Sequence, residues 1–557
     1  MGSWTDETLD GLFAEQVVAR GDHLAVVDPA NRQALMGSDP RRVTWQELDS
    51  EVTALAAKLL DLGLKRGSIL GVQLPNSIEL VEVYLAAWSI GVIVSPLAMQ
   101  YREYEVATMA GAGKFEVLVT TSRFGDRNPA QSVISVREQI PTLRLVVAFG
   151  VDEEGRSHDS DDIVPVDPRA ATDADRARVA DVRAADPNDP NDCVTICWTS
   201  GTESAPKGVP RTHYDWLAFS WVTLDAPRVV ADDVLLNPFP MINMAGINGI
   251  FLPWLRSGAT LVQHHPFDAP TYFGQIAKER VTYTLAPPAL LWQLLNNEEL
   301  LAKVDLSSLT RMGSGSAPLQ PAMVTGWQER FGIGVINFFG SNEGVGLLSS
   351  VEDFPEPEIR ATYFPNYGAP GVTWSARSSE WVELKLVDGA GDVVTEPGIP
   401  GELYIRGPMV FPGYLNGETL PDPFDDEDYF RTGDIFEIAG DDNQYLRYLD
   451  RGKDLVIRGG MNIAPAELES LISAHPDIVE VAVVGDPDTV MGERVAVVVV
   501  PKPGKEITLE DVVALLKERK VASYKLPERL EIRESLPRNP LGKILKRELR
   551  RDTQPVQ

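Results

Sequence analysis

Trp198-Thr199-Ser200-Gly201-Thr202-Glu203-Ser204-Ala205-Pro206-Lys207-Gly208 follows directly on Asp192-Cys193-Val194-Thr195-Ile196-Cys197. The apolar run reads as a buried strand, and the small, hydroxyl-bearing residues after it read as a loop at the strand's end, where α/β folds bind ligands. Gly201 lets backbone approach an anion, Thr199, Ser200 and Thr202 offer hydroxyl donors, and Lys207 adds a full positive charge, a set suited to polyphosphate. The ordinary phosphate loop ends in Gly-Lys-Ser/Thr, whereas here Lys207 precedes Gly208, so this is another kind of nucleotide loop. On this segment alone a surface turn is the competing reading.

Upstream of the loop, Thr44 and Glu47 form a capping-box pattern, and Leu48, Val52, Leu55, Leu59 and Leu62 recur at helical spacing until Gly63. Residues 68–74 then read as a strand, 77–89 as an apolar helix and 91–96 as a strand, the alternation of a parallel sheet. Further strands are predicted over 115–121, 143–149, 234–238, 260–263 and 334–339. Between Gly150 and Asp192 the chain is rich in Asp, Ala and Pro and reads as a solvated excursion without chemistry. From Trp381 to Ile405 short alternating strands broken by Asp388-Gly389 and Pro397-Gly398 predict a β-rich subdomain. A small α+β module closes the chain, with strands near 480–484 and 496–500 and helices over 465–474 and 509–520.

At 557 residues the chain exceeds one hydrophobic core, and 44% hydrophobic with 24% charged residues is the composition of an ordinary soluble protein. Its 51 basic and 81 acidic side chains give a net charge of −30, which repels nucleic acid and anionic membranes, so no nucleic-acid partner is expected. From Asp454 onward there are 16 basic and 17 acidic residues, so the closing module is electrically distinct from the rest. Cys193 and Cys197 suggest neither a disulfide framework nor a zinc site and are expected to pack. No signal-peptide pattern opens the chain and no apolar run spans a bilayer, so a cytoplasmic protein without an integral membrane segment is expected.

Later segments extend the reading: Gly313-Ser314-Gly315-Ser316-Ala317-Pro318, Asn337-Phe338-Phe339-Gly340-Ser341-Asn342-Glu343-Gly344, Tyr429-Phe430-Arg431-Thr432-Gly433-Asp434, Asp450-Arg451-Gly452-Lys453-Asp454, residues 458–467 and residues 536–544. With the loop, these resemble in order and spacing the motifs of the adenylate-forming superfamily, in its acyl/aryl-CoA ligase branch. The resemblance implies an α/β fold. A large N-terminal domain, 1–452, would contain two α/β subdomains plus a small β-barrel-like subdomain, and a mobile α+β C-terminal domain, 453–557, would follow. It implies two steps: a carboxylate attacks the α-phosphate of ATP to give an acyl-adenylate and pyrophosphate, then CoA takes the acyl group and AMP leaves. Both substrates of the first step are anions, and two unit charges about 4 Å apart repel by roughly 4 kcal/mol at an effective dielectric near 20, so cations must offset the difference.

By the same resemblance Lys543 is the catalytic lysine, Lys207 serves the β/γ-phosphates and Glu343 holds Mg2+. Nucleotide contacts fall to Thr199, Ser200, Gly201, Thr202, Lys207, Ser316, Ala317, Asn337, Phe338, Phe339, Asn342, Asp434, Arg451 and Lys543. Asp434 and Arg451 would take the ribose, and Phe338 and Phe339 would flank adenine. Asn243, Met244, Gly246, Ile247, Gly315, Phe338 and Gly340 would border the acyl pocket. Their mostly apolar character favours a hydrophobic acid, whether aromatic, alicyclic or fatty. Arg458, Gly459 and Gly460 would line the CoA passage, and Lys453 would be the hinge. Homodimer formation is left open.

Three departures stand out. Glu203 and Ser204 replace the usual Thr-Gly of the loop, so Glu203 is expected to point away from phosphate. Asn342 replaces a threonine, which puts its phosphate contact in question. Asn243 replaces a histidine near the acyl pocket, where it could bond a substrate substituent or tie down backbone. Pro210-Arg211-Thr212-His213 and residues 286–292 also resemble stand-alone aryl-acid adenylating enzymes that load a carrier protein, and the departures would suit a non-enzymatic nucleotide-binding regulator. Nothing signals luciferase-like oxygen chemistry, and Gly313-Ser314-Gly315-Ser316 lacks the nucleophile-elbow pattern of a serine hydrolase.

Overall fold

The computed structural model describes residues 5–150, 163–199, 206–458, 461–488, 491–519, 521, 523–538 and 544–552. Ser200, Gly201, Thr202, Glu203, Ser204, Gly459, Gly460 and Lys543 lie outside the described residues.

The capping box at Thr44 starts the helix Trp45–Asp61, with Glu47 N donating to Thr44 Oγ1 at 3.2 Å and Thr44 N to Glu47 Oε2 at 2.8 Å. This helix packs beside Ile78–Ser89, which is apolar nearly all round and buried on every side. Around them lies a seven-stranded sheet in the order Ile163–Val166, Leu145–Phe149, Val117–Thr121, Ile69–Val72, Ile93–Pro96, Cys193–Thr199, Lys207–Thr212. Its strands run parallel except for the last pair, an antiparallel hairpin.

A second, eight-stranded sheet runs Gly346–Ser349, Gly334–Gly340, Arg311–Gly315, Tyr283–Leu285, Val234–Asn237, Thr260–Gln263, Leu24–Val27, Arg42–Thr44. It is parallel inside and antiparallel at both edges. One hydrophobic core joins both sheets, with Trp45, Tyr84, Trp88, Phe251 and Trp254 in mutual ring contact through it.

The β-rich subdomain is an antiparallel sheet of six strands, Tyr363–Pro365, Tyr445–Arg451, Phe430–Ala439, Gly401–Arg406, Glu383–Val387 and Val393–Val394. Among the described residues its edge strands do not pair with each other, so it is an open sheet rather than a closed barrel. The closing module has its own sheet of Met461–Ile463, Val456–Arg458, Gly492–Pro501, Ile478–Asp488 and Arg529–Ile532, covered by Pro465–Ile472 and Leu509–Glu518.

The excursion expected before the nucleotide loop is more ordered than its composition implies. Ile163–Val166 adds a strand to the first sheet, and Asp173–Ala185 is a helix capped reciprocally by Thr172 and Asp175. Its one buried side chain is Val179, so no apolar stripe marks it in the sequence.

Candidate active site

Thr199, at the carboxyl end of Cys193–Thr199, stands opposite Lys207 in the hairpin. Buried indole donors fix that strand: Trp198 Nε1 donates to Ser95 Oγ at 2.9 Å and Trp216 Nε1 to Thr195 Oγ1 at 2.8 Å. Cys193 and Cys197 are free thiols whose pKa burial pushes up to about 12, which agrees with a packing role.

Residues 411–415 fasten this hairpin to the turn carrying Glu343. Leu415 N donates to Gly208 O at 2.9 Å, and Phe411 N donates to Glu343 O at 2.9 Å. Between them, Tyr414 OH donates to Glu343 Oε1 at 3.0 Å, while Lys207 Nζ sits 4.6 Å from the centre of the Tyr414 ring. Burial and then the neighbouring Glu343 carboxylate push the Tyr414 pKa up, which keeps its hydroxyl a donor. Tyr414 thus joins the two charges that the sequence singles out, and sequence reasoning missed it.

From the second sheet, Gly315 pairs with Phe338, and the strand ends in an exposed turn at Ser316 and Ala317, with Ser316 at φ +68°. The Asn337 amide donates to the backbone carbonyls of Arg360 at 3.2 Å and Ala361 at 3.0 Å. It therefore anchors the strand Gly334–Gly340. Phe339 packs among Phe364, Phe436 and Tyr448, with ring centroids 5.7, 5.0 and 5.6 Å away. That wedge joins the second sheet to the six-stranded one. Phe338 lies over Gly313, where a Cβ would come within 2.9 Å of its ring.

Asp434 and Arg451 face each other across adjacent strands of the six-stranded sheet, with Arg451 Nε 3.2 Å from Asp434 Oδ1. The Asp434 charge holds the Arg451 guanidinium above its ordinary pKa. On the acyl side, Asn243 ties down backbone: its Oδ1 accepts from Ala245 N at 3.1 Å and Gly246 N at 3.4 Å. Gly246 and Ile247 are buried, Met244, Gly315 and Phe338 are half-buried, and Gly340 is exposed. Ile247–Phe251 forms a π-helical turn, a distortion that recurs at functional sites.

In the closing module, Arg458 makes two 3.0 Å bonds to the Glu528 carboxylate, so a CoA phosphate would have to compete for it. Lys453 belongs to the short turn Gly452–Asp454, where the chain crosses from the six-stranded sheet to the module's sheet. On either side of residues 539–543, Arg538 forms a β-bridge with Ile544, and Leu545 N donates to Pro537 O at 2.8 Å. Lys546 is 17% exposed, with Nζ 2.9 Å from Glu469 Oε1 and 3.9 Å from Asp450 Oδ2.

Arg211 is a second residue that sequence reasoning left without a role. It is fully buried, 4.8 Å from the Trp216 ring centre, and its Nη1 donates to Asn342 O at 3.0 Å beneath the Glu343 turn. Among the described residues no cluster of three or more His, Cys, Asp or Glu side chains could cage a metal. One carboxylate at Glu343, held by the Tyr414 that also contacts Lys207, instead fits the habit of Mg2+, which binds through one or two carboxylates together with substrate phosphates.

The chain belongs to the AMP-binding enzyme family, which matches residues 13–415, and the AMP-binding enzyme C-terminal domain matches residues 467–543. It is 30% identical to a medium-chain fatty-acid–CoA ligase of Escherichia coli, over 99% of this chain and 91% of that one. It is 31% identical to an indoleacetate–CoA ligase of Aromatoleum aromaticum, over 92% and 93%. Among solved structures, ATP-bound MatB from Rhodopseudomonas palustris superposes with a TM-score of 0.77 at 25% identity, covering 98% of this chain and 99% of that one. An anthranilate CoA ligase holding anthranoyl-AMP gives 0.79 at 20% identity, covering 100% and 99%, a likeness of fold.

Proposed function

We propose that the protein is an ATP-dependent, AMP-forming carboxylic acid–CoA ligase. In the first step a carboxylate oxygen bonds to the α-phosphorus and pyrophosphate departs with the electrons of the broken P–O bond. In the second the CoA sulfur, having lost its proton, bonds to the acyl carbon and AMP departs. The observation that carries this reading is the Lys207–Tyr414–Glu343 chain at the mouth of the nucleotide loop. Lys207 would neutralise phosphate, Asp434 and Arg451 would hold the ribose, and Lys543 would bring the acid's carboxylate against the α-phosphate. Glu343 would hold Mg2+, which when bound offsets phosphate charge.

The acid would be hydrophobic, aromatic, alicyclic or fatty, because Met244, Ile247 and Phe338 would give the acyl side an apolar wall and the named relatives include fatty-acid and indoleacetate ligases. Residues 1–452 would form the adenylating domain, and residues 453–557 would turn about Lys453 to exchange Lys543 for Gly459-Gly460 between the two steps. No described helix is long and apolar enough to cross a membrane, and the proposal places the enzyme in the cytoplasm with free CoA as acceptor.

The test is a panel of carboxylic acids assayed for pyrophosphate release with ATP and Mg2+, then repeated with CoA and mass detection of the thioester. Acid-dependent pyrophosphate and a thioester with CoA alone are expected. Strict dependence on a carrier protein would move the protein to the aryl-acid adenylating reading, and nucleotide binding without pyrophosphate release would make it a regulator.

A further inference from the structure

The two asparagines that depart from the usual motif meet at one place. The continuous helical run from Met244 to Ser257 begins with three amides that have no intrahelical partner. Asn342 Oδ1 accepts from Met244 N at 2.8 Å, and Asn243 Oδ1 accepts from Ala245 N at 3.1 Å and Gly246 N at 3.4 Å. One cap is local; the other comes from a turn 98 residues away.

The position of Asn342 is itself determined from below. Arg211 Nη1 donates to its carbonyl at 3.0 Å, and the guanidinium is fixed between the Trp216 and Phe219 rings at 4.8 and 5.9 Å. Arg211 lies on the strand Lys207–Thr212 that leads out of the nucleotide loop. A continuous chain of hydrogen bonds therefore runs from that strand, through the residue preceding Glu343, to the first turn of the helix that carries Met244 and Ile247.

We propose that Asn342 is a positioning residue for acid recognition: it pegs the acyl-side helix to the Glu343 turn, so that the acid's wall and the phosphate end of the site are held at one fixed separation. Its side-chain oxygen is used on Met244 N, and its contribution is to the acid rather than to the nucleotide. The inference rests on the ligase reading for its kinetic half and on geometry alone for the peg.

Two measurements separate these halves. In steady-state pyrophosphate release, Asn342→Ala is expected to raise the KM for the preferred acid roughly five- to tenfold, the equivalent of one lost helix cap. The acid KM should rise several-fold more than the MgATP KM, since a general loss of structure would move both alike. In hydrogen exchange, the amides of residues 244–250 should exchange faster in Asn342→Ala and as slowly as wild type in Asn342→Asp, which keeps an acceptor oxygen in place.

Unchanged exchange in Asn342→Ala, or a rise in the MgATP KM with the acid KM untouched, overturns the proposal. Wild-type protein that releases no pyrophosphate with any acid overturns the ligase reading and the acid role with it, while faster exchange in the alanine variant would still establish the peg.

Discussion

Gly344 is the position where a single methyl group should do most damage. Its φ is +99°, and an added Cβ would lie 1.9 Å from Met409 O and 2.8 Å from Arg211 Nη1. Real Cβ contacts do not fall below 3.0 Å, so the turn must move away from Met409 by about 1.1 Å. Because Arg211, which the added Cβ would also crowd, is fully buried, the displacement falls on the Glu343 turn itself. It pulls on the 2.9 Å bond from Phe411 N to Glu343 O and on the 3.0 Å bond from Tyr414 to the carboxylate. A 1 Å misplacement of a positioned group costs on the order of 100-fold in rate. Gly371 is the control: its φ is +78° and a Cβ there meets nothing within 4 Å, so an alanine pays only the left-handed strain of roughly 1–2 kcal/mol. ATP–pyrophosphate exchange with the preferred acid, alongside thermal unfolding, should show Gly344→Ala at about 1% of wild type or less. Gly371→Ala should be fully active with a Tm lowered by a few degrees. Exchange in Gly344→Ala within threefold of wild type would refute the claim that this turn is wedged.

Tyr414→Phe keeps the ring beneath Lys207 but removes the donor to Glu343. A hydrogen bond to a charged acceptor contributes about 1.5–3 kcal/mol, so kcat/KM for MgATP should fall roughly ten- to hundredfold, and Tyr414→Leu should fall further because the cation–ring contact goes too. Lys543→Ala should abolish pyrophosphate release while thioester formation from supplied acyl-adenylate survives; equal loss of both would show that the lysine serves no single step. Burial holds the His213 pKa down to about 4 against 6.5, and its Nδ1 accepts from Leu9 N at 3.0 Å as the neutral ring. The unfolded chain therefore takes up the proton first, and stability complete above pH 6.5 is lost as pH falls toward 4, about 2 kcal/mol of it between pH 7 and 5. Denaturant unfolding at those two pH values measures it, and His213→Asn, which keeps an acceptor for Leu9, should flatten the difference.

What could be read in the sequence is what repeats or caps within a few residues. Helix Trp45–Asp61 announces itself by a box closed over three positions and an apolar stripe, and the strand before the nucleotide loop by an apolar run interrupted only by Thr195. Helix Asp173–Ala185 has its cap but buries only Val179 and otherwise docks through ion pairs such as Arg183 with Asp10, so the polar composition around it dominates the reading. Phe338 and Phe339 sit in the strand foreseen for them, yet the cross-sheet packing of Phe339 depends on Phe364, Phe436 and Tyr448, which no local pattern connects to it. Tyr414, Arg211 and the Asn342 cap were illegible for the same reason. Each acts on a residue 71 to 131 positions away, and a hydrogen bond across that distance leaves no period in the chain. The ion pair of Lys546 with Glu469 is invisible in the sequence for the same reason, since the two lie on different elements of the module.

The separation of cores bears on how two reactions could use one site. Among the described residues, the hydrophobic clusters of the module begin at Val456, and those of the rest of the chain end at Leu446, with Tyr448 packed against them. No apolar cluster spans the turn Gly452–Asp454. The polar links across it include Gln320 Nε2 to Ser473 Oγ at 2.6 Å, Ala466 N to Asp450 Oδ2 at 3.1 Å, and the 3.9 Å approach of Lys546 to Asp450. Bonds of this kind contribute about 1 kcal/mol each, and after rotation their groups regain water or new partners, so the net cost of leaving this arrangement is a few kcal/mol at most. In the proposed reaction, expelling pyrophosphate would take several anionic oxygens away from Lys207, an electrostatic change of at least that scale. A module held by weak polar contacts, joined through one short turn and carrying almost no net charge of its own, can follow that change without unfolding either core. Fixing it by a disulfide engineered between positions 320 and 473 should therefore leave only one half-reaction active under oxidising conditions and restore the other on reduction, and retention of both in the oxidised protein would exclude rotation about Lys453.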